Sequence, residues 1–193
     1  MKSATSTYQN KTVARAVKHT KDLTYIALAV GLISVCSWIS VPTVVPFTLQ
    51  TFAVFATLAL LGGKRGTIAV ACYILLGLTG APVFSNMMGG VGVLAGLTGG
   101  YIIGFIFIGL TYWLAETIFG KKLWAQIASL VIGLLVCYTF GTAWFMLVYS
   151  GRFGAVSLSS ALTMCVAPFV PVDLVKLALA LLLAKAIEKR IKL

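Results

Sequence analysis

The sequence predicts an all-α integral membrane protein, a bundle of six transmembrane helices with both termini on the cytoplasmic side. Three observations carry that expectation. The chain of 193 residues is 60% apolar and 10% charged, with a mean hydropathy of +1.04, whereas soluble domains run at about 45–50% apolar and about 25% charged. A body of 20.5 kDa cannot enclose that much apolar surface, so lipid must cover it. Apolar stretches recur at about 23–41, 47–62, 66–80, 92–116, 124–150 and 166–186, near the roughly 20 residues that a helical span requires. The third observation is where the charge falls.

The net charge of +11 comes from 15 basic residues that sit almost entirely between those stretches. Lys2, Lys11, Arg15, Lys18 and Lys21 precede the first. Lys64 and Arg65 join the second to the third, Lys121 and Lys122 join the fourth to the fifth, and Lys185, Lys189, Arg190 and Lys192 close the chain. In a six-span serpentine these all share one side, and the opposite connections hold only Arg152, so the positive-inside rule puts both termini in the cytoplasm. The charge encodes orientation, and no nucleic-acid partner is implied.

Taken in order, residues 1–22 read as a basic cytoplasmic tail and 23–193 as the membrane domain. The first apolar run spans a bilayer and ends in Trp38-Ile39-Ser40-Val41-Pro42 with no small-x-small cleavage pattern, so it reads as a retained helix and not as a signal peptide. The sequon at Asn10 lies on the cytoplasmic side, where it has no meaning for glycosylation. The outward connections are neutral and apolar: Val41-Pro42-Thr43-Val44-Val45-Pro46-Phe47, then Gly80 to Gly90. Non-helical backbone at membrane depth persists only where protein buries it or where it lines a cavity. These segments are expected to fold over a pocket as lids, with ordinary loop packing as the alternative. In the fourth span Gly92, Gly96, Gly100 and Gly104 recur every fourth residue, a spacing that brings helices close. Ala27 and Gly31 repeat it in the first span, where a terminal helix has an outer face free for a partner protein.

Chemistry-bearing residues are few. Cys36, Cys72, Cys137 and Cys165 are scattered without a CxxC pair and read as small packing residues. His19 is the sole histidine, and no hydrolase, metalloprotease or phosphate-loop motif is present, so an enzyme is not expected and no cofactor is implied. Active transport would need an ATPase elsewhere. Asn86 and Gln50 lie toward the outer face as amides able to read a polar ligand or to satisfy a loop, while Gln126 opens the fifth span on the other side. The strongest signal is Pro168-Phe169-Val170-Pro171-Val172-Asp173-Leu174-Val175-Lys176. Pro171 suits a first helical turn, which places Asp173 in that turn and Lys176 on the same face at i+3. An ammonium in a bilayer must be partnered. Asp173, backbone carbonyls and an anionic ligand compete for it, and a helix N-terminus with a lysine favours a small carboxylate bound from outside.

These segments resemble the BioY family, the biotin-binding S components of energy-coupling factor transporters. The resemblance covers residues 23–190 and is carried by Val45-Pro46-Phe47-Thr48-Leu49-Gln50, Gly77-Leu78-Thr79-Gly80-Ala81-Pro82-Val83-Phe84, Gly96-Leu97-Thr98-Gly99-Gly100-Tyr101 and the Pro168–Lys176 segment. Leu97 stands where the family has Pro, Val172 where it has Gly, and Ser85-Asn86-Met87-Met88 replaces its usual small residues. The resemblance implies an S-component-like bundle in a prokaryotic plasma membrane. It would capture biotin outside and work with a transmembrane coupling protein and two ATPases. It also implies that Asp173 and Lys176 lie at the biotin carboxylate, with the bicyclic head under the first and third outward loops. Asn86 would then match the ureido ring, and Trp38, Phe47 and Phe84 would supply apolar walls. Gln50, Gly89, Gly90 and Tyr101 complete the implied site, and Ala27 and Gly31 map to the coupling surface. An S component for another vitamin, an autonomous transporter and an assembly subunit with a purely structural ion pair are the competing readings. The sequence shows neither inverted repeats nor intramembrane carboxylate chains for the second of these.

Overall fold

A computed structural model describes residues 2–41 and 45–190. Pro42, Thr43 and Val44 of the first outward connection lie outside the described residues, as do Lys192 and the side chains of residues 2–16, Asn10 included. The described residues are all-α apart from one two-stranded hairpin. Helix α1 runs from Lys2 to Trp38 without a break, so the basic tail and the first apolar run form one helix. Strands β1 (Ser40–Val41) and β2 (Phe47–Thr48) pair antiparallel, followed by α2 (Gln50–Leu61) and α3 (Gly63–Leu78). A 3-10 turn at Ser85–Met87 leads to the one-turn helix α4 (Val91–Leu94). The remaining helices are α5 (Gly99–Phe119), α6 (Leu123–Phe153), α7 (Leu158–Cys165) and α8 (Phe169–Glu188).

Residues Val17–Trp38 of α1, helix α5, helix α6 and the Leu158–Glu188 stretch are long and apolar enough to cross a membrane. The second and third expected spans are shorter, at 12 and 16 residues. At 1.5 Å per residue they reach only about 18 and 24 Å of a hydrocarbon core of about 30 Å. The reason lies at one end of the bundle, where the β-hairpin delays the start of α2 and Thr79-Gly80 stops α3. The expected fourth span also divides, because the turn at Ala95–Thr98 separates α4 from α5. Only half of the glycine stripe therefore works as a helix contact. A Cβ at Gly100 would meet Trp144, and one at Gly104 would meet Cys137, so these two let α5 close against α6. Gly92 has open space around it, and Gly96 faces only its own turn.

The basic residues collect at the other end. There Gly62, with φ +79°, turns α2 into α3, and Gly120, with φ +68°, turns α5 toward α6. Both are left-handed positions that side chains other than glycine adopt at a cost. Two contacts tie this end together. Arg65 pairs with Asp22 of α1 at 2.8 Å, and the Glu116 carboxylate accepts the N–H of Gly63, capping α3 with an anion from the last turns of α5.

The core packs Tyr73, Tyr112, Phe55, Phe84, Phe145 and Ile33 with essentially no exposed surface. Helix α2 lies between α3 and α8, with α1 across α2 and α3. Cys36, Cys137 and Cys165 are buried, and no disulfide joins the described cysteines.

Candidate functional site

Helix α8 begins at Phe169, which moves Asp173 out of the first turn, where the sequence predicts it, and into the second. Pro171 still sits where its missing N–H leaves no intrahelical bond broken. Asp173 is thus held by side chains and not by the helix terminus. Its Oδ1 accepts from Lys176 Nζ at 2.8 Å and from the Thr51 hydroxyl at 2.8 Å, and its Oδ2 accepts from the Tyr138 hydroxyl at 2.6 Å. Lys176 spends its three protons on Asp173, on the Thr48 carbonyl at 2.7 Å and on Thr51 Oγ1 at 3.0 Å. Of the partners that compete for this ammonium in the sequence, the structure shows both the carboxylate and a backbone carbonyl.

Asp173 and Lys176 retain 2% and 7% of their surface, so the pair is taken out of solvent. Such a pair survives burial only when its remaining hydrogen-bonding capacity is filled. Here three elements fill it: α8 supplies the charges, the start of α2 supplies Thr51 with Thr48 just before it, and α6 supplies Tyr138.

The pair forms the polar end of a cavity of about 70 Å³, several times the roughly 10–15 Å³ that admits one water. Tyr101, Ile102 and Phe105 of α5, Leu134 and Cys137 of α6, Cys165 of α7 and Phe169 of α8 also line it. The Tyr101 ring lies over Gly141, where a Cβ would strike it, and its hydroxyl meets Thr142 Oγ1 at 3.0 Å. Phe169 stacks on Phe47 with ring centroids 4.0 Å apart. Val45, Pro46 and Thr48 of the first connection and Ser85 of the second complete the lining. The result is an apolar, aromatic and sulfur-rich slot closed at one end by a neutral donor–acceptor cluster.

A second polar network leads from the cavity wall into the lid segment. Gln50 Nε2 donates to the Tyr73 hydroxyl at 2.8 Å, and Tyr73 donates to the Val83 carbonyl at 3.0 Å. Ser37 at the end of α1 directs its single proton at the same carbonyl and at that of Ser34. Tyr73 is fully buried. Tyr73→Phe is expected to leave the Gln50 amide and the Val83 carbonyl short of a partner, costing about 1–3 kcal/mol. It should also loosen the 80–90 segment, so that bound ligand dissociates several-fold faster. Stopped-flow dissociation beside a thermal melt checks both effects, and an unchanged off-rate refutes the link.

Of the residues expected at the site, Asp173, Lys176, Gln50 and Tyr101 line the cavity. The others are placed around it. Phe47 backs Phe169, and Phe84 is buried edge-on to Tyr73 with its ring over Gly77. Trp38 is partly exposed and donates its indole N–H to the Pro82 carbonyl at 2.8 Å. Asn86 is exposed in a left-handed turn conformation (φ 57°), and its Oδ1 accepts from Ser40 at 3.2 Å, which is the loop role open to it from the sequence. Gly90 turns the chain at φ +92°, and Gly89 packs on the Ala81 carbonyl. Ala27 and Gly31 are exposed on α1. Thr51, Tyr138, Thr98, Cys137, Cys165 and Phe169 complete the site without having been singled out as site residues in the sequence.

Apolar helices around an internal slot, with a buried ion pair at one end and apolar connections over it, define a multi-pass membrane protein built to hold a small amphipathic molecule. The BioY family model matches residues 5–193, and the chain belongs to the BioY family. It is 43% identical over 175 residues to the biotin transporter BioY of Thermotoga maritima, covering 88% of this chain and 96% of that one. It is 36% identical over 169 residues to a probable biotin transporter BioY of Pyrococcus horikoshii, covering 87% and 96%. Among solved structures it matches the crystal structure of the S-component for biotin from an ECF-type ABC transporter. That match has a TM-score of 0.76 and 25% identity, and covers 89% of this chain and 93% of that one.

Proposed function

We propose that this chain is the biotin-capturing membrane subunit of a vitamin uptake transporter and that the α2–α6–α8 cavity is its biotin site. In this reading the second and third short helices complete a six-span bundle. The basic end and both termini face the cytoplasm of a prokaryotic cell, residues 1–22 extend from the membrane domain, and the cavity opens outward. The observation that carries the reading is the satisfied Asp173–Lys176–Thr51–Tyr138 cluster in a mostly apolar cavity. That cluster has no net charge. A carboxylate placed there faces Asp173 as well as Lys176, and in a low dielectric the two contributions oppose each other. The ureido ring of biotin is neutral and offers one carbonyl and two N–H groups, so its N–H groups can donate to the Asp173 carboxylate while its carbonyl takes an ammonium proton in exchange for one now held by Thr48 or Thr51. The geometry therefore favours the bicyclic head at the ion pair and the valerate chain along the apolar wall, in place of the carboxylate placement implied by the resemblance. Gln50 and Tyr101 serve as further contacts, with Phe47, Phe84, Trp38, Asn86, Gly89 and Gly90 shaping the segments around them.

Equilibrium binding of labelled biotin to the purified chain in detergent, without partners or ATP, tests the reading. Saturable binding displaced by biotin and not by riboflavin or thiamine is the expected result. Absence of saturable binding by folded protein overturns it.

Biotin release inside requires an energy source, which this reading assigns to a transmembrane coupling protein and two ATPases docked at Ala27 and Gly31. A side chain added at Gly31 meets nothing within 4 Å of this chain. Gly31→Phe is therefore expected to keep biotin affinity within about twofold, since surface changes of this kind shift stability by about 0.5 kcal/mol or less. Its capture by a coexpressed coupling protein should fall at least tenfold. Capture equal to the parent's refutes the docking surface.

A further inference from the structure

A second cavity lies far from the ion pair, at the basic end between α5 and α6. It measures about 280 Å³. Its walls are Leu114, Ala115, Ile118 and Phe119 on α5 and Trp124, Ala128 and Ile132 on α6. The two helices approach closely at Gly133, where a Cβ would strike Ile108 and Thr111. Beyond that point alanines face one another and leave room. The polar atoms on its floor are already used: Thr111 donates to carbonyls of its own helix and of Ser129, and Ser129 donates to the Gln126 carbonyl. A wall without free donors or acceptors suits hydrocarbon and not water.

Length and charge point to the occupant. From Phe119 to Thr111 the groove runs about 12 Å at 1.5 Å per residue, close to half of the roughly 30 Å hydrocarbon core, the depth of a single leaflet. Phe119 and Trp124 meet at its mouth with tilted rings, centroids 5.0 Å apart, and are 45% and 55% exposed, as aromatic rings at a membrane interface are. Between them in sequence stand Lys121 and Lys122, both exposed and neither ion-paired among the described residues. The nearby Glu116 is committed to the N–H of Gly63.

We propose that this groove binds one acyl chain of an anionic phospholipid whose phosphate lies against Lys121 and Lys122. The site is independent of the biotin reading, since no residue is shared between the two cavities. Lysines beside a membrane surface each favour anionic lipid severalfold, so two together predict a preference of roughly tenfold or more over a zwitterionic lipid.

Native mass spectrometry of the full chain tests this, with titrated phosphatidylglycerol or phosphatidylcholine of identical acyl chains. The parent should retain phosphatidylglycerol at least tenfold more tightly. Lys121→Gln with Lys122→Gln should bring phosphatidylglycerol down to the phosphatidylcholine level. Ala128→Phe, which fills the groove from an exposed position and keeps both lysines, should weaken both lipids. Both variants alter exposed residues, and retained biotin binding or an unchanged melt reports their fold. Equal retention of the two lipids by the parent overturns the proposal. So does loss of retention in the lysine variant without loss in Ala128→Phe, because that pattern means headgroup adsorption with no chain in the groove.

Discussion

Lys176→Met is expected to lower biotin affinity by about ten- to a hundredfold and to destabilise the folded chain. Two effects combine. The substitution removes the charge-assisted donor that the ligand carbonyl would receive, worth about 1.5–3 kcal/mol. It also leaves Asp173, 2% exposed, with only Thr51 and Tyr138 as partners. Breaking a buried pair from one side costs about 3–5 kcal/mol because the remaining charge is uncompensated. At 1.4 kcal/mol per tenfold change, the donor loss alone accounts for about one to two decades of affinity. The double variant Asp173→Asn with Lys176→Met separates the two effects. It has no unpaired charge, and the amide oxygen can accept from one of the two hydroxyls while its NH2 donates to the oxygen of the other, which rotates its own proton away, so most of the stability should return while affinity stays low. Thermal melts and equilibrium biotin binding on parent, single and double variants read the two quantities separately. Binding of Lys176→Met within threefold of the parent refutes a ligand contact at the pair. Recovery of both stability and affinity in the double variant makes the pair purely structural.

The parts of this design that the sequence discloses are those with a local or compositional signal. Basic residues between apolar stretches mark the ends of helices, and the structure collects Lys64 and Arg65 in the first turn of α3 and Lys121 and Lys122 in the α5–α6 connection at one end. The Asp173–Lys176 pair is legible because an i,i+3 spacing in an apolar helix forces the two side chains together. Their companions are not. Thr51 and Tyr138 lie 122 and 35 residues from Asp173, and a single hydroxyl in an apolar helix leaves no periodic trace. Hydropathy also overstates helix length where apolar residues belong to lids. Apolar residues at 47–49, 79–80 and 92–98 belong to the connections, so the expected spans run past the true ends of α2, α3 and α5. The glycine stripe misleads for the same reason: four-residue spacing implies a shared face only while the chain is helical, and the turn at Ala95–Thr98 interrupts it. Asn86 illustrates the ambiguity of a lone amide, whose chemistry fits a ligand and a left-handed turn equally until the backbone is known.

The orientation of biotin in the slot yields a prediction that does not depend on mutating a buried group. If the head lies at the Asp173–Lys176 pair, affinity should respond sharply to the ureido ring and weakly to the carboxylate. Biotin methyl ester, which removes the negative charge, is expected to bind within about tenfold of biotin, since it forfeits about one charge-assisted hydrogen bond at most. The analogue 2-iminobiotin replaces the ureido carbonyl with a protonated guanidinium at neutral pH. That cation removes the acceptor for Lys176, and its repulsion from the ammonium opposes its attraction to Asp173, so the lost acceptor decides the sign. A loss of about ten- to a hundredfold is expected at neutral pH. The sign of the pH dependence follows from the same chemistry. Raising the pH toward deprotonation of the analogue restores a neutral acceptor, so 2-iminobiotin affinity should climb with pH while biotin affinity stays flat over the same range. Competition titrations against labelled biotin at several pH values measure all three ligands on one preparation. The opposite pattern, with the ester abolishing binding and 2-iminobiotin matching biotin, returns the carboxylate to Lys176. It would mean that Lys176 releases Asp173 to the Thr51 and Tyr138 hydroxyls when ligand enters. The neutral cluster would then be a latch that the ligand opens, and not the surface that recognises it.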